Sequence, residues 1–216
     1  MPETHFTLTP ELLLKAYTSG VFPMAESRDD PELFWVDPRR RGVLPLDRFH
    51  ISRSLARRMR RGGYQVALNR DFSAVLNACA DRSETWINHE ISGIYTTLFN
   101  QGHGHALAVY DQGNLIGGVY GVTIGGAFFG ESMFSNRTDG SKLALAHLTD
   151  HLRRCRFTLF DTQFITPHLT SLGAIEISRA AYHLQLEQAV GLRRSITELD
   201  LDPDPYSVLQ RSTQTS

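Results

Sequence analysis

Apolar side chains recur along this chain at two spacings, and the changes from one to the other mark its elements. Leu12, Leu13, Ala16 and Tyr17 keep the three-to-four spacing of a helix face. Ahead of them Thr9-Pro10-Glu11 supplies a capping hydroxyl, a proline for the first helical position and an acid for the first turn. Gly20 is placed to end this helix. Val21-Phe22-Pro23-Met24 then runs extended, because proline keeps the residue before it out of the helical region. Phe34-Trp35-Val36 is a short apolar run closed by Asp37-Pro38. Leu55 and Met59, four apart, predict a helix that Ser52 or Ser54 can cap and Gly62-Gly63 ends. After a strand from Tyr64 to Leu68, Phe72, Val75, Leu76 and Cys79 form another helix face. So do Ile91, Tyr95 and Leu98 behind the cap Asn88.

From Ala106 the period shifts to two. Ala106 to Tyr110 reads as a strand, Asp111 to Asn114 as its turn, and Leu115 to Phe129 as a strand pair. Five glycines between Gly117 and Gly126 weaken such strands. They call either for close approach of a ligand or another backbone, or for bulges in a twisted sheet. Leu145, Leu148 and Leu152 then define an inward helix face that begins at Ser141. Phe157 to Asp161 reads as a buried strand, and a last helix carries Ile177, Ala181 and Leu184. From about Thr197 the chain turns polar, with Asp202-Pro203-Asp204-Pro205, and reads as a loosely held tail.

Composition adds few constraints. With 216 residues, 41% hydrophobic and 21% charged, this is an ordinary globular chain of one or two domains. No apolar run reaches membrane-spanning length and the start Met-Pro-Glu-Thr-His is no leader, so a cytoplasmic protein is expected. Cys79 and Cys155 lack metal-type spacing and lie among apolar residues, which points to buried thiols. A net charge of -1 gives no global nucleic-acid signal.

Locally the picture differs: nine arginines and no lysine stand between residues 39 and 61. Arg39, Arg40 and Arg41 are consecutive, and Arg53, Arg57, Arg60 and Arg61 fall largely on one side of the predicted helix. Guanidinium forks match phosphate oxygens, so this stretch fits a phosphate-backbone track. It also fits a solvated basic face.

Two acids, Glu131 and Asp161, stand at the ends of apolar β-like runs. Asp161 and Gln163 share a side if their strand continues, and a carboxylate beside an amide can hold and relay a proton. The same pair also suits a structural hydrogen bond. Trp35 and Trp86 suit either core positions or platforms for a base. His103 and His105 are two apart with no third ligand beside them, which fits a surface turn better than a metal site. Neither a nucleophile elbow, nor a phosphate-binding Walker loop, nor a dinucleotide glycine fingerprint is present.

Several motifs occur together and in one order. They are Leu13-Leu-Lys-Ala-Tyr-Thr-Ser-Gly-Val-Phe-Pro23, Trp35 followed by Pro38 and Arg39, and Thr85-Trp86-Ile87. Leu115-Ile-Gly-Gly-Val-Tyr-Gly-Val122, Gly130-Glu-Ser-Met-Phe-Ser135 and Ser141-Lys142 follow. Asp161-Thr-Gln163 and His168-Leu-Thr-Ser-Leu-Gly-Ala174 complete the set, which spans roughly residues 8 to 190. In these motifs the chain resembles the bacterial leucyl/phenylalanyl-tRNA–protein transferases.

The resemblance implies an α+β fold: a GNAT-like (acetyltransferase-like) C-terminal domain behind a smaller α/β N-terminal domain. With the element pattern, this divides the chain into 1–62 (N-terminal, with the basic helix), 63–196 (catalytic) and 197–216 (tail). It implies transfer of leucine or phenylalanine, and by extension methionine, from aminoacyl-tRNA to a protein's N-terminal arginine or lysine. Proteins so marked enter N-end rule degradation. No metal, coenzyme or membrane is implied. Asp161 and Gln163 would be the catalytic pair, and Glu131 would hold the acceptor's amine or cationic side chain. Trp35, Trp86, Val119, Phe128 and Met133 would surround the aminoacyl-adenosine end. The arginines Arg39, Arg40, Arg41, Arg53, Arg57, Arg60 and Arg61 are expected on tRNA phosphates, by charge alone.

Val119 stands where some members carry methionine, Ala106-Leu107-Ala108 replaces a Ser-Val-Glu run, and Asp139-Gly140 replaces Asn-Ala. Two rivals stay open at this point: a coenzyme A-dependent N-acetyltransferase and a non-catalytic RNA-binding module.

Overall fold

Thr9 Oγ1 accepts the Leu12 amide at 3.2 Å, and Pro10 opens the first helix, as the sequence predicts. The computed structural model describes residues 8–24, 34–81 and 88–214. In chain order these form α1 (Pro10–Thr18), β1 (Phe22–Met24), β2 (Phe34–Val36), β3 (Arg40–Val43), α2 (Arg53–Arg61), β4 (Gln65–Leu68), α3 (Phe72–Ala80) and α4 (His89–Asn100). Then come β5 (Gly104–Asp111), β6 (Asn114–Ile124), β7 (Ala127–Ser135), α5 (Gly140–Arg154) and β8 (Leu159–Gln163). The chain continues through α6 (Pro167–Ser171), β9 (Ile175–Ser178), α7 (Arg179–Val190) and α8 (Pro205–Thr213).

β1 and β2 pair with each other, and the remaining strands form one sheet in the order β4-β5-β6-β7-β8-β3-β9. Its pairs are antiparallel except β7 with β8, which α5 joins as a parallel crossover. An antiparallel run followed by one parallel crossover is the α+β arrangement expected of an acetyltransferase-like domain. The stretch assigned to the N-terminal unit is not set apart from this sheet. It contributes β3, inserted between β8 and β9, and α2, whose Leu55 and Met59 are buried in the main core.

Apolar residues pack on both faces. One face gathers Leu13 and Tyr17 of α1, Val75 and Leu76 of α3, and Tyr95 and Leu98 of α4. The other gathers α5 with Leu55 and Met59 of α2 and Val208 and Leu209 of α8. The glycine-laced strands owe their composition partly to backbone contact. A Cβ at Gly117 would lie 2.3 Å from the Gly140 carbonyl carbon, so glycine lets the start of α5 rest on β6.

Three expectations are corrected. The polar stretch after Thr197 is not a loose tail, because α8 docks on α2 and α5. Burial of Val208 and Leu209 at roughly 1.5–3 kcal/mol per side chain outweighs the Arg211 pairs with Asp150 and Asp202. The expected last helix does not carry Ile177, which lies on β9; Leu184 on α7 is 62% exposed, and α7 buries Tyr182, Leu186 and Ala189. His105 lies not on a surface turn but within β5, 6% exposed, bonded to Asn69, Thr123 and the Gly102 carbonyl. Burial pushes its imidazole down to about 4, so it is neutral near pH 7.

Candidate active site

The parallel ladder between β7 and β8 ends at Phe129↔Asp161. Beyond that rung β7 stays with β6 while β8 turns away, and a cavity of about 370 Å³ opens between them. Val119, Met133, Leu145, Phe160 and Leu169 give it apolar walls, and Glu131, Thr162 and His168 give it polar ones.

Glu131 sits at the polar end, two residues past the last rung. Its Oε1 accepts the Tyr17 hydroxyl at 2.7 Å and the Gln163 amide Nε2 at 2.9 Å. Its Oε2 accepts the Tyr95 hydroxyl at 2.6 Å. Burial pushes this carboxyl up to about 7; the donations from Tyr95, Tyr17 and Gln163 pull the other way, and the nearby charge of Asp161 adds to the rise. Burial and Glu131 hold Tyr17 and Tyr95 well above the ordinary phenol range, so both stay protonated donors.

Asp161 is different: it is fully buried, and protein donors take both oxygens. Arg41 binds it as a fork, Nε to Oδ1 at 2.9 Å and Nη2 to Oδ2 at 2.6 Å. The Tyr182 hydroxyl donates to Oδ2 at 2.8 Å, and the Gln163 backbone N–H donates to Oδ1 at 2.8 Å.

Gln163 closes β8 opposite Gly42 but does not keep the extended conformation expected of it. Its φ is 62°, a left-handed conformation uncommon for a residue with a side chain. The Phe164 amide bonds back to the Thr162 carbonyl at 2.6 Å, which closes a tight turn. Asp161 and Gln163 are therefore joined through the Gln163 main chain, while the Gln163 side chain turns to Glu131.

Of the expected pocket residues, Glu131, Val119 and Met133 line the cavity, the last two as register partners on β6 and β7. Phe128 is core, packed edge-on against Phe160, which itself lines the cavity. Trp35 is 36% exposed on β2, and Trp86 falls outside the described residues.

The arginine run divides. Arg39 and Arg40 are exposed beside β9, with Arg40 near Glu176. Arg53, Arg57 and Arg60 line a groove between α2 and α8, and Arg61 is exposed next to it. Arg41 is corrected: it is 1% exposed, and its guanidinium meets Asp161 rather than solvent.

The sequence reading missed the hydroxyls of Tyr17, Tyr95 and Tyr182. Helical spacing put Tyr17 and Tyr95 on apolar faces. A core-facing tyrosine needs a hydrogen-bond partner, and that requirement was the available signal.

Residues 43–187 match the family model described as leucyl/phenylalanyl-tRNA protein transferase, and residues 6–39 match its N-terminal domain. The chain belongs to this transferase family. It is 61% identical to the leucyl/phenylalanyl-tRNA–protein transferase of Ruegeria pomeroyi over 97% of this chain and 100% of the relative. It is 62% identical to the protein of that name from Cereibacter sphaeroides (strain ATCC 17025) over 97% of this chain and 98% of the relative. Among solved structures it is similar to a ribosomal-protein-alanine N-acetyltransferase from Brucella melitensis, at 15% identity and TM-score 0.36, over 51% of this chain and 88% of that one. Residues 40–42 of β3, Arg41 among them, lie between the two matched stretches. Among the described residues, no helix is long and apolar enough to cross a membrane.

Proposed function

We propose that this enzyme transfers leucine or phenylalanine from aminoacyl-tRNA to the α-amine of a cytoplasmic protein that begins with arginine or lysine. The product enters N-end rule degradation. One observation carries the reading: an apolar cavity of side-chain size that ends at a carboxylate poised near neutrality.

The walls formed by Val119, Met133, Leu145 and Phe160 suit an aliphatic or aromatic aminoacyl side chain. Glu131 then faces the acceptor, whose amine and cationic side chain both match a carboxylate. The ester is already activated, so most of the rate comes from holding the amine against it. The amine nitrogen attacks the ester carbonyl carbon and a C–N bond forms. The ester C–O bond breaks, and the terminal ribose oxygen of the tRNA leaves. The proton lost by nitrogen passes by way of the Glu131–Gln163 pair to that oxygen. Asp161 and Gln163 act as a unit, with Asp161 fixing the turn and the Gln163 amide orienting Glu131. Trp35, with Trp86 beyond the described residues, would bear on the adenosine end. Arg39, Arg40, Arg53, Arg57, Arg60 and Arg61 would meet tRNA phosphates.

The test is labelled leucyl-tRNA with an arginine-initiated peptide. Peptide labelling that is abolished by ribonuclease supports the reading. Absence of labelling, or modification by acetyl-coenzyme A without tRNA, overturns it.

A further inference from the structure

Arg41 stands among arginines that face solvent, yet its three guanidinium nitrogens are all occupied. Two bind Asp161, and Nη1 donates to the Gly20 carbonyl at 3.0 Å. The rings of Phe22 and Tyr182 lie over its central carbon, each at 4.4 Å. These contacts come from the end of α1, from β1, from β8 and from α7. One side chain thus ties the N-terminal segment to the strand that carries Asp161 and Gln163.

The next residue serves the same turn. Gly42 pairs with Gln163, and a Cβ on it would lie 2.6 Å from the Phe164 carbonyl carbon and 2.9 Å from Thr162 Oγ1. A glycine on β3 leaves room for the left-handed turn, and an arginine on β3 anchors the carboxylate that caps it.

A buried ion pair is weak evidence of a stabilising device, because well-packed apolar residues often do as well. Arg41 does two things that an apolar residue cannot. It holds both Asp161 oxygens in fixed directions, one of them toward the Gln163 N–H. It also offsets the Asp161 charge close behind the cavity.

We infer that Arg41 is a positioning residue for aminoacyl transfer: through Asp161 it fixes the Gln163 turn against Glu131, and it leaves Glu131 as the carboxylate without a paired cation that faces the acceptor amine. The inference rests on the transferase reading and assigns Arg41 to chemistry instead of tRNA phosphates.

The surroundings of Glu131 show what removing Arg41 would change. Tyr17 faces it from α1, Tyr95 from α4, and Gln163 and Asp161 from β8, while Tyr120 of β6 packs edge-on against Tyr95. Arg41 from β3 and Tyr182 from α7 stand behind Asp161. Burial works against the Arg41 charge, but the bonds and charge of Asp161 more than offset this and raise its pKa. Without Arg41, Asp161 keeps the Tyr182 and Gln163 donors but loses its cation, and negative charge left there makes Glu131 harder to ionise.

The experiment measures kcat and KM for leucyl-tRNA and an arginine-initiated peptide between pH 5.5 and 9, on the full chain and its Arg41→Met and Arg41→Lys variants. Arg41→Met should lower kcat by at least ~30-fold, as expected when a supporting contact displaces reacting groups by about 1 Å. Its KM for leucyl-tRNA should stay within ~2-fold, and the acidic limb of its rate profile should move to higher pH. Arg41→Lys keeps the charge without the fork, so it should return the limb toward the wild-type position and recover only part of kcat. If Arg41→Met does not fold, Arg41→Lys decides: a lower kcat at unchanged KM supports the inference, and a wild-type kcat overturns it. A folded Arg41→Met with wild-type kcat and limb also overturns it. So does a loss confined to KM for tRNA, which would make Arg41 a phosphate contact. Failure of the unaltered enzyme to label the peptide would sink the transferase reading itself, and it would be seen before any variant is compared.

Discussion

Two carboxylates stand on neighbouring strands of one sheet, and their surroundings differ in kind. Glu131 is half-buried, opens on a cavity and is held by three neutral donors, Tyr17, Tyr95 and Gln163. Asp161 is sealed, and its chief partner is a guanidinium. Neutral donors and burial leave the Glu131 carboxyl poised between its two protonation states, whereas the Arg41 fork holds both Asp161 oxygens in fixed directions. The comparison separates two jobs that the sequence motif runs together. In the proposed mechanism Glu131 meets the substrates, and Asp161 keeps the turn that steadies Glu131.

Removing each acid in turn should break the pair apart. Asp161→Ala strands the Arg41 charge in the core, so stability should fall by about 3–5 kcal/mol and turnover by at least ~100-fold. Glu131→Gln should lose turnover on the same scale, yet stay within about 1 kcal/mol of wild type at pH 7, because it strands no charge. Urea denaturation and steady-state labelling check both. Equal destabilisation by the two substitutions would mean that the acids form one structural network with no division of labour.

A second difference lies in pH. The Glu131 carboxyl has an ordinary value of 4.5 and is pushed up to about 7 in the fold. Between those values the folded state holds a proton that the unfolded chain has released. This group's contribution to stability is therefore complete below about pH 4.5 and is lost as pH rises through about 7. The loss amounts to about 3 kcal/mol at most. Transfer should run in the opposite direction and rise through pH 7 as Glu131 ionises. Denaturation of wild type and Glu131→Gln at pH 5 and pH 8.5 isolates the effect, since other titrating groups cancel. Parallel curves for the two proteins would show that Glu131 is not poised.

Much of this arrangement was legible in the chain, and what was not has a common cause. Leu145, Leu148 and Leu152 are buried as their spacing predicts, and Thr9, Ser52 and Asn88 cap the helices they precede. Helix faces and caps are local, so a window of residues contains their cause. Arg39, Arg40 and Arg41 look alike in sequence, and which one is buried depends on Asp161, 120 positions away. Nor could strand periodicity foresee the left-handed turn at Gln163, which requires Gly42 opposite and the Asp161 oxygen beneath its N–H. The docking of α8 was hidden for the same reason, since Arg211 finds Asp150 across 61 positions.

Arginines that face water offer a contrast with the sealed one. If Arg57 and Arg60 meet tRNA phosphates, replacing both with glutamine should make the log–log salt dependence of tRNA binding shallower by roughly 1.4 to 1.8. Turnover at saturating tRNA should hold, whereas Arg41 variants should show the reverse pattern. Filter binding of leucyl-tRNA over a range of salt concentrations measures the slope. An unchanged slope would make α2 a solvated face and leave the tRNA contacts to be sought elsewhere.

The smallest expected effect concerns an uncharged wall of the cavity. Val119 on β6 lines it directly across from Met133 on β7. Methionine at 119 would reach further into the same space, and a difference of about one methylene in such a pocket is worth roughly 1–3 kcal/mol of discrimination. Phenylalanine needs more of that space than leucine. Val119→Met should therefore shift preference toward leucine, changing the ratio of specificity constants by at least ~5-fold. The change should leave the acidic limb of the pH profile in place, because Val119 carries no charge and Glu131 keeps its donors. Competition between leucyl- and phenylalanyl-tRNA for one arginine-initiated peptide reads the ratio, and the profile reads the limb. A shifted limb would mean that the apolar walls and the Glu131 end are coupled. An unchanged ratio would make Val119 sheet packing, and selectivity would then fall to Met133, Leu145 and Phe160.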